Sequence, residues 1–225
     1  MQIRRYIKYC LFIIICIMVL PSHAQENDFQ TWGDIAAKYK INKKFRLNAE
    51  LGIRTRENSQ LLKQQYAEIG LKYRIKKRIN AGIKYRYSNY SILHKTSSQR
   101  LNLDLEYSFK KWGRTRLTIR ERYQYEWLVF RNITNYDEIN LRSRVDLSYD
   151  IRKTKIEPFF SVEHYLSLEG KKHGLTTQMR WTLGFDMPVN KWSDISVSYR
   201  VQQQLNNSNP LRAYIFILSY VVDLN

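Results

Sequence analysis

From residue 45 onward the chain alternates apolar and polar positions, segment after segment. In the stretch Gln65 to Ile75, the residues Ala67, Ile69, Leu71, Tyr73 and Ile75 are separated by Tyr66, Glu68, Gly70, Lys72 and Arg74. Successive residues of a strand point to opposite faces, so this order writes one apolar face and one largely charged face. Leu47, Ala49, Leu51 and Ile53 repeat the pattern against Arg46, Asn48, Glu50 and Arg54, as do Leu141, Val145 and Leu147 against Arg142, Arg144 and Asp146. Eleven such segments are expected, over residues 29–41, 45–56, 64–75, 79–88, 99–109, 114–125, 138–150, 156–166, 176–187, 194–205 and 211–222. Most are longer than the ~5–6 residues usual in soluble sheets and suit the ~9–11 residues of a tilted strand that crosses a bilayer.

The connections alternate too. Short basic ones, Asn42-Lys43-Lys44, Lys76-Lys77-Arg78, Lys110 to Gly113, Arg152 to Lys155 and Val189 to Ser193, take turns with mostly longer polar ones near 57–63, 89–98, 126–137, 167–175 and 206–210. Outer-membrane barrels have short periplasmic turns and longer outer loops, so the basic set is assigned to the periplasm. The expectation is an all-β fold, a single antiparallel up-and-down transmembrane β-barrel of 10 to 12 strands. In hydrocarbon every backbone N–H and C=O must pair within the protein, and a closed sheet achieves this. Tyr39, Tyr73, Tyr85, Tyr87, Tyr107, Tyr123, Tyr125, Tyr149 and Tyr199, with Trp112 and Trp192 in short turns, suit aromatic girdles at both rims.

Three features do not fit the simple pattern. Glu121 and His164 fall on the lipid face by counting, and a bulge near Arg120 would turn Glu121 inward. Residues Leu211 to Val222 are apolar on both faces, and the chain ends Val222-Asp223-Leu224-Asn225 without the terminal aromatic that assembly machinery commonly reads. Termini on one side require an even number of strands. Either 29–41 lies outside the wall and ten strands close, or Trp127 to Arg131 belongs to a twelfth.

The N-terminus adds a location. Arg4, Arg5 and Lys8 precede an apolar run from Cys10 to Leu20, then Pro21-Ser22-His23-Ala24. Basic start, short apolar core and small residues at the cleavage positions make a secretory signal. Residues 1–24 are expected to be removed before Gln25, leaving 25–225 as one outer-membrane barrel domain of a Gram-negative bacterium. A spanning helix needs ~20 apolar residues, and no stretch after residue 24 reaches that. Cys10 and Cys16 are the only cysteines and lie in the leader, so the exported chain has no disulfide and no thiolate site. The formal net charge is +18. In a cytoplasmic protein that would suggest nucleic acid. The leader and the interleaving of Arg and Lys with acids argue for no such partner.

The charged face supplies the candidate site. Lumen-lining residues are expected to be Arg54, Glu68, Arg74, Arg86, Glu106, Arg120, Arg142, Arg144, Asp146, Arg180, Asp186 and Arg200. Lys72, Lys84, Arg116, Arg122, Glu50, Asp104, Glu157 and Glu163 share that parity. In a narrow barrel such charges either pair and fill the interior or leave a small passage that Arg and Lys bias toward anions. The alternative is an enzyme acting on outer-membrane lipid. His94, His164 and His173 lack metal-ligand spacing, and no local nucleophile motif is present. A barrel hydrolase would draw Ser, His and an acid from different strands, and its mark would be a polar triad on the outer wall. No cofactor is implied. The partners implied are membrane lipid, the barrel-assembly machinery and a small solute.

The chain also resembles the outer-membrane proteins grouped as domain of unknown function 2490, common in Bacteroidota. The resemblance rests on D-F-x-x-W at Asp28 to Trp32, N-K-K-F-x-L at Asn42 to Leu47 and E-L-G-I-R at Glu50 to Arg54. G-I-K-Y-R-Y at Gly82 to Tyr87 and I-E-P-F-F-S-V-E at Ile156 to Glu163 extend it over nearly all of the exported chain. It implies fold and location, and assigns no activity or functional residue.

Overall fold

The computed structural model describes residues 26–91, 96–130 and 133–225. The leader and His94 lie outside the described residues. Eleven strands form a closed barrel in which each strand pairs with its neighbours in sequence and β1 pairs with β11. They are β1 (Glu26–Lys40), β2 (Phe45–Arg56), β3 (Leu61–Lys76), β4 (Ile79–Tyr90), β5 (Thr96–Ser108), β6 (Thr115–Phe130), β7 (Ile133–Tyr149), β8 (Glu157–Ser167), β9 (Thr176–Pro188), β10 (Ser193–Gln204) and β11 (Leu211–Asp223). Among the described residues a single 3-10 turn, Gly170–Lys172, sits in the β8–β9 connection.

The expected even count does not hold. β1 is an ordinary wall strand, and it closes the barrel by pairing parallel with β11 over thirteen positions, from Glu26 opposite Leu211 to Lys38 opposite Asp223. Every other pair is antiparallel. Residue 26 therefore stands at the rim of the longer connections and residue 223 at the rim of the basic turns. Asn225 latches the seam: its Oδ1 accepts from Lys40 N at 2.7 Å and its Nδ2 donates to Lys40 O at 2.9 Å. Trp127 to Phe130 is the end of β6 rather than part of a twelfth strand, and β7 begins at Ile133, so most of the outer connection read over 126–137 is hairpin. The irregularity in that hairpin lies between Leu128 and Val129. Arg120 and Glu121 keep regular register on both sides, and Glu121 points outward beside Tyr123.

The alternation becomes an inside-out distribution. Among the described residues, buried polar or charged side chains outnumber buried apolar ones, 20 to 6. Leu51, Ile69, Leu103, Leu147 and Leu183 are exposed on the wall. A water-soluble core shows the reverse. Closure satisfies the main chain without an apolar interior, and the wall then needs an apolar solvent.

Candidate functional site

The inward face is not uniform in height. A central chamber of about 320 Å³ is encircled by residues from every strand. A vestibule of about 630 Å³ lies toward the longer connections and one of about 270 Å³ toward the basic turns. The chamber shares Arg100, Gln124, Tyr165 and Arg180 with the first, and Glu50, Glu68, Lys84 and Arg120 with the second. The three spaces thus follow one another along the barrel, each sharing charged lining residues with the next.

Ten cations and four carboxylates line the chamber. Of the residues expected there, Arg54, Glu68, Arg86, Arg120, Arg142, Arg144, Arg180 and Arg200 meet around it. Glu163 is the hub: Arg120 donates to its Oε1 at 2.7 Å and Arg142 at 2.8 Å, with Arg180 3.5 Å from Oε2. Glu68 accepts from Arg86 at 2.8 Å and from Lys84 at 2.9 Å. Three other arginines reach carboxylates at the edge of the chamber or beyond it: Arg122 with Asp104 at 2.5 Å, Arg144 with Asp146 at 2.5 Å and Arg100 with Glu126 at 2.6 Å. Glu106 pairs with Lys72 at 2.8 Å in the inner vestibule. Arg74 and Asp186 lie exposed at the basic-turn rim, in separate recesses with Lys44 and Lys38 respectively.

Two arginines stand apart. Arg54 donates to Gln64 at 3.3 Å and Arg200 to Thr182 at 2.9 Å, and neither bonds a carboxylate among the described residues. Their guanidiniums instead stack near Trp32, at 4.1 and 5.4 Å from its ring centroid, and Arg54 also lies 4.9 Å from the Tyr66 ring. An aromatic face attracts a cation without cancelling its charge. Nε of Arg54, of Arg120 and of Arg142 is buried with no partner among the described residues. Guanidinium groups present donors in a fixed fork suited to carboxylate or phosphate oxygens.

Inward aromatics complete it. Tyr66, Tyr165 and Trp32 are buried. The Tyr66 hydroxyl bonds Asp34 and also Glu50 at 2.6 Å, lying across Gly52, where a Cβ would fall 2.4 Å from its ring. Sequence parity places Tyr66 and Arg100 on the polar face, but singles out neither. Glu157 and Glu163 both engage arginines, Glu157 through Arg116 at 2.8 Å. His173 lies exposed beside the 3-10 turn.

The closed sheet, apolar outside and charged within, defines a β-barrel of the outer-membrane type. The chain belongs to the family described as "Protein of unknown function (DUF2490)", whose model matches residues 29–212. No curated protein matches it in sequence. Among solved structures it is similar to a bacterial polysaccharide outer membrane secretin, at 14% identity and a TM-score of 0.53 over 77% of this chain and 62% of that one. It thus spans less than two thirds of that relative's length. It is also similar to the NanC porin, at 8% identity and a TM-score of 0.51, covering 82% of this chain and 90% of that one. At such identities the likeness is one of fold.

Proposed function

We propose that the protein is an integral outer-membrane barrel, exported by a cleaved leader, whose lumen is a narrow passage favouring small anions. The observation that carries this reading is the chamber's charge: ten cations face four carboxylates, and Arg54 and Arg200 are held by rings, amides and hydroxyls. Rings of Arg select anions. The chamber shares lining residues with a vestibule on either side, which supports a route along the barrel. Membrane lipid contacts the apolar wall, and the barrel-assembly machinery inserts it.

The test is single-channel recording of the refolded chain in a planar bilayer across a KCl gradient. The wild type should conduct with a reversal potential on the anion side. Replacing Arg54 and Arg200 together with Gln should lower the chloride-to-potassium permeability ratio several-fold while leaving the heat-dependent gel shift intact, since neither residue anchors an ion pair. A silent wild type with an intact barrel would overturn the passage and leave a structural barrel sealed by its own charges.

A further inference from the structure

The outer wall carries a second cluster that the lumen does not use. Glu121 on β6, Ser143 on β7 and His164 on β8 are consecutive members of one row, Glu121 opposite Ser143 and Ser143 opposite His164. Side chains directly opposite on antiparallel strands stand about 4.5–5.5 Å apart at Cβ. Ser143 Oγ donates to Glu121 Oε2 at 2.7 Å. His164 Nε2 shares a 2.8 Å hydrogen bond with Oγ1 of Thr176, the first residue of β9, so the row ends at the rim of the longer connections. The next outward residues along the three strands are Ile119 and Tyr123, Leu141 and Val145, and Val162 and Leu166. Ionisable groups facing hydrocarbon are costly, and where they persist they mark functional positions.

We infer that this row is an acyl-ester hydrolase site that takes its substrate from the surrounding lipid. The Ser143–Glu121 contact sets two of the roles, and the β7–β8 register supplies the third. Glu121 accepts the hydrogen bond of the Ser143 hydroxyl and is the general base, and Ser143 Oγ is the nucleophile. His164, held by Thr176 on the opposite side of the nucleophile, is the general acid. In the first step Ser143 Oγ bonds to the ester carbonyl carbon and its proton passes to Glu121. The bond from that carbon to the alcohol oxygen breaks, and the leaving oxygen takes a proton from the His164 imidazolium. In the second step water attacks the acyl-serine and gives a proton to His164. The acyl–Oγ bond breaks, and Oγ recovers its proton from Glu121. The balance is ester plus water to fatty acid plus alcohol. Tyr123, Leu141 and Leu166 provide apolar surface for the acyl chain.

This inference rests on the wall facing lipid, as proposed above, and is independent of conduction through the lumen. The full exported chain, reconstituted in vesicles of phosphatidylethanolamine and phosphatidylglycerol with or without lipopolysaccharide, is assayed for free fatty acid by mass spectrometry. A fluorophosphonate probe is applied in parallel and the adduct mapped. The expected result is fatty-acid release and an adduct on Ser143. Ser143→Ala should abolish the adduct and cut release at least about 100-fold, and Glu121→Gln should cut it about 100-fold, within the range removed with a general base. Release from the first vesicles assigns glycerophospholipid esters, and release only from the second assigns lipopolysaccharide esters. No release and no adduct would overturn the site, as would release unaffected by Ser143→Ala. Failure of the lipid-facing reading looks different: the chain would remain in the aqueous fraction and not float with the vesicles.

Discussion

The two sides of the lumen are built differently. Along the seam, β11 turns Ala213, Ile215 and Ile217 inward, where they pack with Trp32 of β1 in the one apolar cluster of buried residues described. Across the barrel, β6 to β9 turn in Arg120, Arg142 and Arg180 around Glu163. The seam side therefore depends on shape and main-chain pairing, whereas the far side depends on charge compensation. The far side cannot relax by losing one member, because removing one partner leaves buried charge uncompensated. The seam can, at the expense of a void. Trp32 joins them, its ring facing the cluster and its π-face the guanidiniums of Arg54, Arg200 and Arg180.

Three substitutions would break or sharpen that contrast, each followed by the temperature or urea concentration at which the folded gel band disappears. The largest effect should come from Glu163→Gln, which strips three arginines of a shared counter-charge and should cost about 3–5 kcal/mol. A loss below ~1 kcal/mol would mean that solvent compensates the chamber. Ile215→Ala, at a fully buried seam position, should cost about 2–4 kcal/mol without changing ion selectivity, because no charge moves. Asn225→Ala removes two exposed hydrogen bonds to Lys40 and should cost about 1 kcal/mol or less, with fraying confined to the end of the seam. Equal losses for Glu163→Gln and Asn225→Ala would erase the distinction drawn here.

Much of the architecture is legible in the alternation because a period of two fixes which face each side chain takes once a strand exists. The outward positions of Leu51, Ile69 and Leu147 and the inward ones of Arg86 and Arg142 were readable in this way. Parity says nothing of partner, and so the parallel pairing of β1 with β11 was invisible: the apolar inner face of β11 set that strand apart without naming its neighbour. Nor does parity give height. Arg74 and Asp186 share the parity of Arg142 but lie exposed at a rim, while Arg54, with the same signature, lies in the chamber. Trp127 to Phe130 looked like loop or a further strand because a hairpin that extends past the apolar band has no reason to keep alternating. Glu121 was readable as outward by simple counting. Its contact with Ser143 required the β6–β7 register, which no local pattern encodes.

The parallel seam also limits how the chain can be rewired. A barrel closed by an antiparallel pair brings its first and last residues to one rim, where a short linker joins them and any other turn can be opened instead. Here thirteen paired positions separate the two ends, a rise of roughly 40 Å along the strands at ~3.3 Å per residue. A linker from Asp223 to Glu26 would have to thread the lumen or cross the bilayer, so joining these two strand ends, the step circular permutation needs where ends are close, is closed to this fold.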